Sequence, residues 1–188
     1  MMGILKLIQA EHHVGNLLSE EIKDPKLTDY GGQQCREFAA SFTDQIHHIT
    51  HIICSPMSRT IKTAMMTFED ANVMIYAMPE LQNFDSGPNG QGQSLPELTG
   101  RYRGRASIID VTTYGKTGWN IKDSGKWSPG RSQWRVDHII GFLQNLHQEN
   151  INRGNLIEVM VVSHRSFLLK LLSSKSQAIL NLALLKTN

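Results

Sequence analysis

The sequence is poor in cysteine, has no long apolar run and carries no excess of charge of one sign. Cys35 and Cys54 are its only cysteines, which is too few for a disulfide framework and suits a reducing compartment. Its 19 basic and 17 acidic residues leave a formal net charge of +2, so no electrostatic argument favours nucleic acid or an anionic membrane. The apolar runs at 4–8 and 178–185 are far shorter than the roughly 20 residues of a membrane span. We therefore expect a cytoplasmic protein with no membrane and no nucleic-acid partner.

Strand-like and helix-like patterns alternate along the chain. Short apolar runs predict buried strands at residues 4–8, 51–54, 73–77 and 158–163. Capping residues ahead of helically spaced apolar residues predict helices that begin near Thr28, at Ser55, near Gln133 and after His164. This alternation predicts an α/β fold, a three-layer α/β/α sandwich with a mostly parallel sheet. The length is typical of one domain, which we expect to span residues 1–188.

Residues 83–132 interrupt the alternation. Glycine, serine, proline and asparagine dominate this segment, and it shows neither the helical nor the strand period. A long irregular stretch of this kind is usually either a functional cover or a disordered segment. Trp119 and Trp127 favour an ordered cover, because tryptophan is rarely left in solvent.

The predicted sheet brings four loops to one edge. Ligands bind where loops leave the carboxyl ends of parallel strands. The loops that meet there are Gln9-Ala10, residues 55–59, residues 80–83 and His164. Arg59 lies in the first turn of its predicted helix, where an anion is favoured. His164 is the candidate acid or base, because histidine exchanges a proton near neutral pH.

The same loops carry motifs in a fixed order. They are a strand ending in Gln9-Ala10 with Asn16 six residues after Ala10, a Leu27-Thr28-x-x-Gly31 helix entry, a Ser55-Pro56-x-x-Arg59 segment, and a strand ending in His164. Together they resemble the histidine phosphatase superfamily of the phosphoglycerate-mutase-like kind. Segments 79–87 and 119–129 are similar to the fungal branch of that group. The resemblance runs from about Leu5 to Leu172 and implies the same α/β sandwich.

Three departures from the family pattern matter most. The resemblance implies that Gln9 replaces the first phosphate-binding arginine and that Ala10 replaces the histidine that becomes phosphorylated. Asn83 stands where an acidic residue normally protonates the leaving group. An alanine methyl cannot act as a nucleophile, and an amide has no proton to give at neutral pH. We therefore do not expect a conventional phosphatase or mutase.

The predicted site has two catalytic residues, His164 and Arg59. The substrate-binding set is Gln9, Asn16, Asn83, Glu11, His12 and Arg165. No metal and no cofactor is expected.

From this site we predict an enzyme repurposed for acid/base chemistry. It would be a lyase or dehydratase, an isomerase or a cyclase in fungal secondary metabolism, with a small polar or carboxylated molecule as substrate, anionic or carbonyl-containing. Two alternatives stay open. One is a catalytically silent pseudophosphatase that binds a metabolite or a protein, and the other is residual phosphatase activity.

The C-terminal segment carries one further expectation. The resemblance implies another helix and strand after the second histidine, but few residues follow Leu185. An unpaired sheet edge is normally covered. Residues 178–185 either cover this edge or pair with a second subunit in a homodimer.

Overall fold

The computed structural model of the chain describes residues 4–9, 22–105, 109–122, 125–174 and 182–184. Its strands form one sheet in the order β4-β3-β2-β5-β1-β6, in which every neighbouring pair is parallel. They are β1 Ile4–Gln9, β2 His51–Cys54, β3 Ile75–Ala77, β4 Ile109–Asp110, β5 Glu158–Ser163 and β6 Leu182–Leu184. All four predicted strands are present, and β3 is shorter at its start than the predicted 73–77. Strands β4 and β6 are additions at the two sheet edges.

Helices cover both faces of this sheet. They are α1 Asp29–Ser41, α2 Ser58–Thr67, α3 Leu95–Tyr102, α4 Ser132–Asn152 and α5 Arg165–Ser173. Helix α1 begins as predicted, since the Thr28 hydroxyl accepts a hydrogen bond from the Gly31 N–H at 3.1 Å and caps the helix. No helix among the described residues is both long and apolar enough to cross a membrane.

Alternation along the central strands creates two separate cores. On β2, Ile52 and Cys54 pack on one face of the sheet and Ile53 packs on the other. Residues from α1 and α2 complete the first core, and residues from α4 and α5 complete the second. Because successive strand side chains point to opposite faces, strands buried on both sides require helices on both sides. The predicted three-layer α/β/α sandwich is confirmed.

Helix α2 starts later than the sequence predicts. The Ser55-Pro56 pair was expected to cap it and occupy its first turn, but the helix begins at Ser58. The cap comes from Asp24 instead, whose carboxylate accepts from the Ser58 N–H at 2.8 Å and from the Ser58 hydroxyl at 2.6 Å. Asp24 is buried and adopts a left-handed backbone with φ 47°. A remote carboxylate therefore fixes the helix end that carries Arg59.

The segment 83–132 is more regular than predicted. It contains α3, β4 and several short 3-10 turns. Trp119 and Trp127 are both buried in the first core, so this segment is anchored by apolar packing. The Trp119 ring lies directly against Gly92, where an added Cβ would come within 2.0 Å of the ring.

Strand β6 lies at the sheet edge formed by β1. Leu5 of β1 is in register with Leu182 of β6. Residues 178–185 are predicted either to cover this edge or to pair with a second subunit. The described part of this segment, β6, pairs with the chain's own sheet. The homodimer stays a prediction.

Candidate functional site

Arg59 and His164 meet at the carboxyl edge of the sheet. Arg59 comes from the first turn of α2, and His164 immediately follows β5 and precedes α5. The Arg59 Nη2 atom lies 3.4 Å from His164 Nδ1. Both residues are buried, with exposed fractions of 2% for Arg59 and 6% for His164. The structure thus brings together the two residues predicted to be catalytic.

The contacts of His164 define its tautomer. Arg59 can only donate, so His164 Nδ1 must accept and carries no proton. In the neutral ring the proton then resides on Nε2, which lies 3.0 Å from the Ser55 hydroxyl and donates to it. Both ring nitrogens are engaged in this state.

Arg59 also holds the loop that follows β3. Its Nη1 atom donates to the Asn89 carbonyl at 3.1 Å. At Gly90, the next residue, an added Cβ would lie 2.4 Å from the Asp85 carbonyl oxygen, so the loop is tightly folded. The Nε atom of Arg59 is buried without a partner in the described structure. One donor of this guanidinium therefore has no acceptor among the described residues. We call the group Ser55, Ser58, Arg59 and His164 the helix side of the site.

Asn83 lies at the start of the same loop and contacts a buried lysine. The Lys122 Nζ atom donates to the Asn83 Oδ1 atom at 2.7 Å, to the Asn83 carbonyl at 3.1 Å and to the Asp85 carbonyl at 2.8 Å. Only 1% of Lys122 and 8% of Asn83 are exposed. All three ammonium donors are therefore used, and all three acceptors are neutral oxygens.

Arg135 also holds this loop by hydrogen bonds to its main chain. Arg135 of α4 is fully buried, and its Nη1 atom donates to the Gln82 carbonyl at 3.0 Å and to the Asn83 carbonyl at 3.3 Å. Its guanidinium also lies 4.7 Å from the Phe84 ring centre, a cation–π contact. Its Nε atom has no partner among the described residues. We call Asn83, Lys122 and Arg135 the cover side of the site.

Three cations of the site are buried, Arg59, Lys122 and Arg135. Within the described part of the chain, no aspartate or glutamate forms an ion pair with Arg59, Lys122 or Arg135. Burial lowers the pKa of Arg59 and of Arg135 to about 10, against weaker opposing effects of Asp24 and Asp85 on Arg59 and of Glu80 on Arg135. Burial, followed by the charge of Arg135, lowers the pKa of Lys122 to about 7. These carboxylates offset the buried positive charge only in part, and an anion in the site would offset more of it.

Two nearby side chains could in principle replace a missing nucleophile. Cys54 is fully buried, and burial raises the pKa of its thiol, so the reactive thiolate is disfavoured. Ser55 is also fully buried and contacts His164 Nε2, but that nitrogen carries the proton in the tautomer that Arg59 imposes. His164 cannot then remove a proton from Ser55. Neither residue has the environment of a nucleophile.

The other predicted site residues fall into three groups. Gln9 ends β1 in register with Ser163 of β5, so these two neighbouring parallel strands end side by side. Glu11, His12 and Asn16 lie outside the described residues. Arg165 is exposed at the first position of α5, and its role in substrate binding stays a prediction.

Sequence reasoning missed three contributors, namely Ser55 as a partner of His164, Lys122 and Arg135. A signal for Arg135 was present, because it lies four residues before Ile139 and so shares the buried face of α4. No periodic pattern marks Lys122, whose burial depends on the packing of the segment around Trp119.

Comparisons with known proteins agree with this architecture. The sequence model described as histidine phosphatase superfamily (branch 1) matches residues 10–181. No curated protein sequence matches the chain.

Similar solved structures are phosphatases. A putative alpha-ribazole-5'-P phosphatase from Escherichia coli has a TM-score of 0.58 at 19% identity, covering 92% of this chain and 79% of its own. A histidine-to-alanine mutant of phosphoserine phosphatase from Entamoeba histolytica, in complex with phosphoserine, has a TM-score of 0.50 at 23% identity, with coverage of 89% and 76%. A mycobacterial glucosyl-3-phosphoglycerate phosphatase has a TM-score of 0.51 at 14% identity, with coverage of 91% and 77%.

Proposed function

Because the chain belongs to branch 1 of the histidine phosphatase superfamily, we propose that it binds the phosphate monoester of a small metabolite without hydrolysing it. The observation that carries this proposal is the set of three buried cations with no carboxylate partner among the described residues. A phosphate dianion supplies the missing charge and can accept from the unpartnered Nε atom of Arg59.

The absence of turnover follows from the residues at the reacting positions. Ala10 offers no atom that can attack phosphorus, and Asn83 offers no proton to a leaving alcohol. Among the similar structures, the phosphoserine phosphatase with a histidine-to-alanine change is in complex with phosphoserine. That complex supports the idea that this fold can hold a phosphate monoester when a histidine has become alanine.

The repurposed lyase, isomerase or cyclase has less support. Proton abstraction by His164 requires a ring nitrogen that is open to substrate, but Nδ1 faces Arg59 and Nε2 faces Ser55. Non-hydrolytic binding needs no such nitrogen. Fungal origin, secondary metabolism and a cytoplasmic location stay predictions.

Calorimetric titration with O-phosphoserine, inorganic phosphate and phenyl phosphate tests the proposal. At least one phosphate monoester should bind, and Arg59→Met should weaken it by at least about 30-fold, because truncating one partner of a buried charged pair costs upwards of about 2 kcal/mol. Lys62→Met is the matched control, since Lys62 is an exposed cation on the same helix. Equal affinity in the Arg59 and Lys62 variants would contradict the proposed site.

Turnover is measured separately with p-nitrophenyl phosphate. No release above the uncatalysed rate is expected from the wild-type protein. Release that disappears in Arg59→Met and persists in Lys62→Met would show a working phosphatase, and the proposal of silent binding would be wrong.

A further inference from the structure

The amide of Asn83 has a chemically determined orientation. The Lys122 ammonium lies 2.7 Å from the side-chain oxygen of Asn83 and has donors only. Turning the amide over would place its NH2 group against the ammonium, so the oxygen must face Lys122. The Nδ2 atom therefore points away from Lys122, and none of the described residues accepts a hydrogen bond from it.

Lys122 is itself fixed by its surroundings. Its other two donors are taken by the carbonyl oxygens of Asn83 and Asp85. The charged groups whose fields reach it are Arg135, Asp85 and Arg59. Asp85 is exposed, and its Oδ1 atom accepts from the Gly87 N–H at 2.9 Å. Lys122 therefore has no freedom to rotate away from Asn83 without breaking the loop that Arg59 also holds.

The two sides of the site then offer hydrogen-bond donors to a ligand. The Nε atom of Arg59 and the Nδ2 atom of Asn83 are donors without a described partner. A protonated phosphate oxygen is itself a donor and needs an acceptor, whereas a fully deprotonated tetrahedral anion needs donors only. A site of donors thus distinguishes the two ionisation states of the same phosphate ester.

We propose that Lys122 is a positioning residue that fixes Asn83 as a donor, so that the site selects the fully deprotonated form of a tetrahedral oxyanion such as a phosphate monoester dianion. This inference rests on the proposed function, because it concerns the ligand of the same site. Lys122 acts through Asn83 and does not need to touch the ligand.

The test compares phenyl phosphate with inorganic sulfate by calorimetry between pH 5 and pH 7. A phosphate monoester has its second pKa near about 6, so its affinity for the wild-type protein should fall about tenfold from pH 7 to pH 5 relative to that of sulfate, which stays a dianion. Lys122 is mainly protonated below its pKa of about 7, so it stays a donor across this range, and the ratio of the two affinities cancels the charge effects that both anions share.

Two variants should remove this discrimination. In Lys122→Met the Asn83 amide is free to turn and can accept from a protonated phosphate. The loss of phenyl phosphate affinity relative to sulfate between pH 7 and pH 5 should therefore become much smaller. Asn83→Asp places an acceptor at the same position, so the affinity for phenyl phosphate relative to sulfate should rise as the pH falls. This second variant keeps the test decisive if Lys122→Met does not fold. Lys116 is an exposed lysine of the same segment and serves as the control. In Lys116→Met the affinity for phenyl phosphate relative to sulfate should fall between pH 7 and pH 5 as it does in the wild-type protein.

The outcomes separate the two proposals. If the wild-type protein binds neither anion in an Arg59-dependent way, the proposed function fails. The proposed function stands but the role of Lys122 is wrong in two cases. In the first, the wild-type protein binds both anions and its affinity for phenyl phosphate relative to sulfate does not fall at low pH. In the second, Lys122→Met and Asn83→Asp show the same fall as the wild-type protein.

Discussion

The helix side and the cover side of the site hold their charges by different means. On the helix side a carboxylate is present, since Asp24 binds the first residue of α2, and side chains contact side chains: Arg59 with His164, and His164 with Ser55. On the cover side, Lys122 and Arg135 contact mainly main-chain carbonyls of one loop. The first arrangement fixes individual side chains, and the second fixes a loop.

This difference has a consequence for stability. Charged hydrogen bonds to the Asp24 carboxylate stabilise the folded helix side. Cations bound to neutral carbonyls keep part of their desolvation cost, so the cover side is stabilised mainly by its apolar anchors, among them Trp119. Breaking the helix side should therefore cost more than disturbing the cover side.

Removing the remote cap should have the largest effect. Asp24→Ala eliminates the acceptor of two short hydrogen bonds at Ser58 and leaves a buried N–H unpaired. The free energy of unfolding should fall by about 3 kcal/mol. Urea denaturation followed by circular dichroism measures it, with Asp70→Ala, an exposed aspartate, as control. Equal midpoints for the two variants would show that Asp24 does not anchor α2.

A steric change at the cover anchor should cost less. In Gly92→Ala the added methyl meets the Trp119 ring, which must move out of the core. Overpacking of this kind should lower the free energy of unfolding by about 2 kcal/mol. Gly100→Ala is the matched control, because Gly100 is exposed in α3 and an added Cβ meets nothing within 4 Å. That change should stabilise the protein by about 0.5–1 kcal/mol. Changes of the same sign in the free energy of unfolding for Gly92→Ala and Gly100→Ala would contradict the packing of Trp119 against Gly92.

The smallest effect should appear as a pH dependence that Lys122 imposes. The pKa of Lys122 is about 7 in the folded protein, against 10.5 for an ordinary lysine. Above about pH 7 the unfolded chain therefore binds more protons than the folded one, and this residue's contribution to stability rises with pH. Below the folded pKa, Lys122 is protonated in both states and its contribution is constant.

Comparison with Lys122→Met isolates this contribution. Between pH 6 and pH 8 the wild-type protein should gain about 1 kcal/mol of unfolding free energy relative to the variant. Urea denaturation of both proteins without phosphate at each pH measures the difference. A parallel pH profile for the two proteins would mean that Lys122 titrates like an exposed lysine.

Much of the helix side could be predicted from the sequence. Apolar runs located β2 and β5, and parallel pairing then required the residues after their carboxyl ends to meet, as Arg59 and His164 do. The start of α2 could not be predicted, because Ser55-Pro56 has the local signature of a helix cap. The contact of Ser55 with His164 and the remote carboxylate of Asp24 override that signature.

The sequence by itself determined the alternation of strands and helices, the family, and the convergence of Arg59 and His164. Those features depend on local apolar periodicity and on motif spacing, and both follow directly from the order of the residues. Only the tertiary structure decided that Lys122 and Arg135 are buried without a carboxylate partner among the described residues, and that the side-chain oxygen of Asn83 contacts Lys122. The physical reason is that their acceptors are mainly main-chain carbonyls. Every residue carries a main-chain carbonyl, so such partners leave no signature in the sequence.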